Sequence, residues 1–279
     1  MVVSTCLMRP ERSLYPIPLL FVLWLCVTRQ LIHPQPCLRI CREETMAAYG
    51  LKETECLLVC TACGTQFPTS DREALKTCFI CDDPRQYTPA SGQSFTTLAD
   101  IRSSHENTFQ PFPDCSEFIS ITTTPKFGIG QRAILVKTAA GNILWDCLTL
   151  LDDETIATIQ EMGGLHGIVI SHPHYYSTHL EWAAAFACPV YLSAEDKKWL
   201  SRTSEKQVFL DQIETTIQVG GADTEIKAIK LGGHFPGSCM TCPCSQNFEP
   251  SPPLIPHALC SKLSDRILVE KQMTANSAM

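Results

Sequence analysis

The chain has 279 residues, 44% of them hydrophobic and only 18% charged, with a net charge of −7. That length suits one large domain or two smaller ones around an ordinary core, and the negative balance disfavours nonspecific nucleic-acid binding. The 16 cysteines are unevenly spread over a chain longer than the usual secreted disulfide scaffold, so their tight pairs point to metal instead.

Residues 1–45 differ in character from the rest of the chain. Arg9 and Arg12 precede an apolar run, Leu14–Val27, which has the layout of a signal peptide or a short membrane anchor. Pro16 and Pro18 interrupt that run, Thr28-Arg29-Gln30 supplies no small-residue cleavage site, and fourteen residues fall short of the roughly 20 needed to span a bilayer. The expectation is an extension dispensable for the fold, a core that begins near Met46, and a cytoplasmic protein.

Residues 46–90 carry the strongest local signal. Cys60 and Cys63 form one C-x2-C pair, and Cys78 and Cys81 form another, with fourteen residues between. Each pair wraps a short knuckle that turns both sulfurs to one point, and two knuckles complete a closed, tetrahedral, structural zinc site. The segment resembles a zinc ribbon. Residues 91–116, with Pro111 and Pro113, read as a loop-rich linker.

Regular structure is expected from 117 to 238. Phe118–Thr124 and Arg132–Thr138 read as strands, and a turn at 139–142 leads into Asn142–Asp146, a strand ending in a carboxylate. Asp152 and Asp153 cap a helix with Ile156, Ile159 and Met162 on one side, stopped by Gly163-Gly164. Ile168–Ile170 is a buried strand that runs into Ser171 and His172-Pro173-His174. Proline fixes its own φ and restricts the residue before it, so the two imidazoles at this strand end are held toward one cleft. Ser177 or Thr178 caps a second helix, with Leu180, Ala183, Ala184 and Ala187 as its apolar face. Val190–Leu192 is a short strand. Ser193 and Asp196 have the spacing of a capping box ahead of Trp199. Val208–Leu210, Thr216–Val219 and Glu225–Leu231 close the run as strands, and Gly232–Ser238 (GGHFPGS) brings in His234. From 239 to 279 the periodicity is lost. Cys239, Cys242 and Cys244 read as loop cysteines, and only Leu263–Val269 reads as a possible helix or strand.

A strand ending in Asp146, a strand ending in His172-Pro173-His174 and a later Gly-His turn, in that order, resemble the metallo-β-lactamase superfamily over roughly 117–238. The strand–helix alternation by itself indicates an α/β or α+β fold; the resemblance implies part of a four-layer αββα sandwich with its site at the strand ends. It also implies that His172, His174 and His234 hold Zn²⁺, with Asp146 nearby. Where the superfamily places the Asp and His of a second metal position, this chain has Tyr176 and Ser177, neither a strong ligand; His179, two residues on, is a candidate substitute.

Two functions are compatible with these residues. One is a zinc-dependent hydrolase of an unknown small-molecule substrate, with Tyr175 or Tyr176 donating to a developing oxyanion. The other is a non-catalytic zinc-binding scaffold or interaction protein. The superfamily's second half is not visible after Ser238, so activity is expected to be low or absent.

Overall fold

The computed structural model describes residues 51–82, 88, 92–113 and 115–243. The chain divides into two units, Met1–Glu43 and Glu44–Met279, and every described residue belongs to the second. Residues 1–45 with their apolar run, Cys244 and Leu263–Val269 lie outside the described residues. Among the described residues no helix is long and apolar enough to cross a membrane.

A seven-stranded mixed sheet forms the centre. In spatial order its strands are β3 (Glu106–Phe112), β4 (Cys115–Thr124), β5 (Arg132–Val136), β6 (Ile143–Trp145), β7 (Gly167–Val169), β8 (Val190–Ser193) and β9 (Gln207–Leu210). The β3 to β6 pairs are antiparallel, while β6 to β9 pair in parallel. Parallel neighbours need crossovers. Helix α2 (Asp153–Glu161) lies between β6 and β7 in the chain, and α3 (His179–Phe186) lies between β7 and β8. Side chains alternate along each strand, and both faces of the sheet are covered. Ile119, Ile121, Leu135, Leu144, Ile168 and Val190 join the helix side, with Ile159 and Trp182. Phe118, Ile134, Val136, Trp145 and Val169 join the opposite cluster, with Ile217, Ile226 and Ala228. That second cluster lies against a three-stranded antiparallel sheet of β10 (Glu214–Val219), β11 (Ala222–Lys230) and β12 (Cys239–Pro243). The described residues therefore supply the helix–sheet–sheet part of the expected sandwich, a mixed α/β fold. Burying one large apolar side chain contributes about 1.5–3 kcal/mol, so these two clusters fix the layer order.

Several expectations are corrected. The supposed linker folds: it holds β2 (Phe95–Thr97), the short helix α1 (Leu98–Arg102) and the edge strand β3. Pro111 fits there because an edge strand leaves alternate N–H groups without a ladder partner. The tail starts regular, since β12 pairs with β11 from Lys230↔Cys239 to Ile226↔Pro243, which makes Cys239 a buried strand residue. Helix α3 buries Trp182, Ala183, Ala185 and Phe186, whereas Ala184 and Ala187 are exposed, because the bulk of Trp182 and Phe186 decides which side faces the sheet. Ser193 and Asp196 form no capping box. Their side chains instead hold Gly237, whose carbonyl accepts from Ser193 Oγ and whose N–H donates to Asp196 Oδ1 at 2.9 Å.

Candidate functional site

Two clusters of metal-ligating side chains occur among the described residues: Cys60, Cys63, Cys78 and Cys81, and His172, His174 and His234. Within each cluster the candidate ligand atoms lie within 4.8 Å of one another.

The cysteine cluster forms where β1 (Leu58–Cys60) ends. The Gly64 N–H donates to the Cys60 carbonyl at 2.8 Å, and the Cys81 and Asp82 N–H groups donate to the Cys78 carbonyl at 3.1 and 2.9 Å. These two tight turns bring four buried sulfurs together. Cys60 Sγ and Cys81 Sγ are 3.9 Å apart, and Cys63 Sγ and Cys78 Sγ are 3.7 Å apart. A tetrahedron with bonds of about 2.3 Å has edges of about 3.8 Å, so the sulfurs already stand where a four-thiolate ion needs them. Thiol donors from Cys63, Cys78 and Cys81 hold the Cys60 thiol well below the ordinary thiol range, while hydrogen bonds to Cys60 first, then Cys78, together with burial, push Cys63 and Cys81 up. The sulfurs belong to the main helix-side core, with Phe67 and Ile80.

The histidine cluster lies past the carboxyl ends of the parallel strands, the usual ligand position in such sheets. Asp146 ends β6 with φ +62°, in the left-handed region. Its N–H donates to the Val169 carbonyl at 2.8 Å, and its Oδ1 accepts from the Ser171 N–H at 2.8 Å. Ser171 Oγ in turn stands 2.8 Å from His172 Nδ1. A proton on Nδ1 then leaves Nε2 as the ligand atom of His172. Pro173 starts a single 3-10 turn, Pro173–Tyr175, that presents buried His174. His234 Nε2 stands 3.0 Å from His174 Nδ1, close to the edge of about 3.3 Å for a tetrahedral ion with 2.0–2.1 Å bonds to nitrogen. The loop of His234 is clamped at Gly237, where a Cβ would fall 2.4 Å from the Ser193 Cβ. Phe235 stacks among the three imidazoles, with centroids 4.7–5.8 Å away, and meets Trp199 edge-on at 4.7 Å. This apolar wall lowers the local dielectric and strengthens electrostatic effects. GGHFPGS contains Phe235, yet nothing in that motif announced its packing.

Asp146 thus positions the histidine loop through the Ser171 backbone. Asp146→Ala should cost about 2–4 kcal/mol, from left-handed strain and a buried N–H that loses its acceptor. Asp146→Asn should cost much less, since asparagine tolerates that backbone and keeps an acceptor; urea denaturation of the two variants checks this.

Two sequence candidates are not brought into the cluster. Tyr176 is buried and donates from its hydroxyl to the Asp196 carbonyl at 3.3 Å, and burial raises its phenol above the usual range. Tyr175 is the tyrosine beside the cluster, with its ring 5.3 Å from that of His172. His179 is turned away at the start of α3. Its Nδ1 contacts the Tyr176 carbonyl at 2.7 Å, and its Nε2 contacts Gln207 Nε2 at 2.8 Å. Nδ1 therefore carries the proton and Nε2 accepts. Burial pushes the His179 imidazole down to about 4, against about 6.5 unfolded. The unfolded chain then binds the proton first, so the stability from neutral His179 is present above pH about 6.5. It is lost as pH falls toward 4, by up to about 3 kcal/mol. Urea midpoints should fall less steeply over that window for His179→Gln than for the parent.

No family model matches the chain. A curated relative, the uncharacterized protein YmaE of Bacillus subtilis (strain 168), is 41% identical over 182 residues, covering 65% of this chain and 64% of that protein. Solved structures similar to the chain are metallo-β-lactamases. DIM-1 is 18% identical at a TM-score of 0.39, over 49% of this chain and 64% of that one. SMB-1 in complex with mercaptoacetic acid is 17% identical at 0.36, over 51% and 60%. MEM-A1, from a soil metagenome library, is 16% identical at 0.37, over 52% and 60%. The chain spans less than two thirds of the length of each of these proteins.

Proposed function

We propose that this chain is a single-centre, metal-dependent hydrolase of the metallo-β-lactamase-like kind, with Zn²⁺ at His172, His174 and His234 and a second, structural Zn²⁺ on the four cysteines. The observation that carries the reading is the convergence of three imidazoles at the carboxyl ends of parallel strands, against an aromatic wall. Three neutral nitrogens leave a fourth position open, the donor set of a catalytic zinc rather than a closed structural one. Zinc held there supplies Lewis-acid polarisation and a water acidic enough to attack near neutral pH. The chain's own residues do the rest. Ser171 orients the His172 ring, Pro173 holds His172 and His174 in register, Phe235 and Trp199 exclude water from one side, and Tyr175 is the tyrosine near enough to His172 to meet a substrate oxygen. The substrate class is a small molecule with an electrophilic carbonyl or phosphoryl centre. We assign the activity to the cytoplasm and expect it to be modest, because Tyr176 and Ser177 provide no second metal position.

The test is hydrolysis by the zinc-loaded full chain of a nitrophenyl ester, a thioester, a β-lactam and a phosphodiester. Turnover of one of these, lost in His174→Ala, supports the reading. A zinc-loaded parent that turns over none of them leaves the scaffold function.

A further inference from the structure

The two metal clusters are joined by one buried side chain. Gln131, 6% exposed, lies between β4 and β5 in the chain. Its Nε2 donates to the Cys63 carbonyl at 2.9 Å, to the His174 carbonyl at 3.0 Å and to Ser177 Oγ at 2.6 Å. Its Oε1 accepts from Thr149 Oγ1 at 2.8 Å. Two amide protons serve three acceptors, so one proton is shared, and every acceptor lies on a segment next to a metal ligand or is backbone of the ligand itself. A second contact runs in parallel, because the Gln66 N–H, just past the first knuckle, donates to the Ser177 carbonyl at 3.1 Å. The knuckle sits close enough here that a Cβ on Gly64 would fall 1.8 Å from Thr149 Oγ1, and Gly64 itself has φ +74°. The backbone that carries His174 is therefore positioned by the folded knuckle.

We propose that Gln131 is a positioning residue through which the cysteine knuckle sets the metal affinity of the histidine centre, so that a filled thiolate site is a condition for a competent histidine site. This rests on the reading that both clusters hold metal. A folded knuckle fixes the Cys63 carbonyl; the Gln131 amide, held at its other end by Thr149, then fixes the His174 carbonyl and Ser177. An unfolded knuckle withdraws Cys63 and Gln66 together, and the His174 turn loses two of its anchors. Metal supply to the knuckle thus regulates the histidine centre without any contact between the two ions.

Cobalt(II) titration of the full chain tests this, because thiolate-bound cobalt has a charge-transfer band in the near ultraviolet that nitrogen-bound cobalt lacks. Gln131→Met keeps the volume and removes both donors. Gln131→Glu keeps the acceptor for Thr149 and turns a carboxylate oxygen toward the two carbonyls. Both should keep the thiolate band and its midpoint, while histidine-site affinity falls about 10–100-fold, the usual cost of losing an outer-shell partner. A merely structural role would weaken both sites together. Thr149→Val, which frees only the far end of the amide, should give a smaller fall in the same direction. A folded Gln131→Met chain whose histidine site binds cobalt within about twofold of the parent overturns the coupling; if that chain does not fold, an unchanged histidine site in Thr149→Val overturns it. A parent chain that takes up thiolate-bound cobalt alone overturns the histidine centre of the proposed function, and the coupling with it.

Discussion

Cys63→Ser should cost the chain its knuckle ion, weaken metal binding at the histidine centre with it, and lower the melting temperature by at least about 10 °C. The four knuckle sulfurs are buried in the main apolar cluster beside Phe67, Ile80, Ile121 and Leu148, so this centre is part of the core. Binding of a structural zinc is itself folding free energy, on the order of 10 kcal/mol in small zinc modules, against a total stability of about 5–15 kcal/mol for a typical domain. Even half of that loss shifts the midpoint by about 10–20 °C at this chain length. Metal analysis by mass spectrometry, with melting curves before and after chelation and after zinc is restored, checks this. A metal-free chain that melts where the loaded chain does would show that the knuckle holds no structural ion.

His174→Ala should remove the histidine-site ion, weakening metal binding there by more than about 100-fold, beyond the usual cost of losing an outer-shell partner. Hydrolysis should fall below detection while the knuckle ion stays in place. His174 is the most buried of the three histidines, at 2% exposed. The three rings form a triangle, 5.5 Å from His174 to His172, 4.8 Å from His174 to His234 and 5.7 Å from His172 to His234, so removing His174 leaves two imidazoles with no third ligand to close the set. The stoichiometry should drop from two ions to one. His179→Gln, outside the cluster, should keep two ions and the parent's turnover near neutral pH. A His174→Ala chain that still binds two ions would show that these histidines are not the ligands.

Sequence alone determined the parts whose geometry is local. Each C-x2-C turn is closed by its own backbone hydrogen bonds, from Gly64 to Cys60 and from Cys81 and Asp82 to Cys78, whereas the separations of 3.9 and 3.7 Å run between the two knuckles and depend on how they dock. His172-Pro173-His174 is equally local, since proline restricts both itself and the residue before it. The strands β5 to β8 were legible because side chains buried on both faces make continuous apolar runs. Tertiary structure decided what depends on partners far along the chain. Nothing near Gln131 marks it, since its acceptors, Cys63 and His174, are 68 and 43 positions away. The roles of Tyr176 and His179 turned on partners further along the chain, the Asp196 carbonyl for Tyr176 and the Gln207 amide for His179. Residues 95–112 were misread because prolines that break a central strand are tolerated on an edge strand, and whether a strand is an edge is a property of the sheet, not of its own residues.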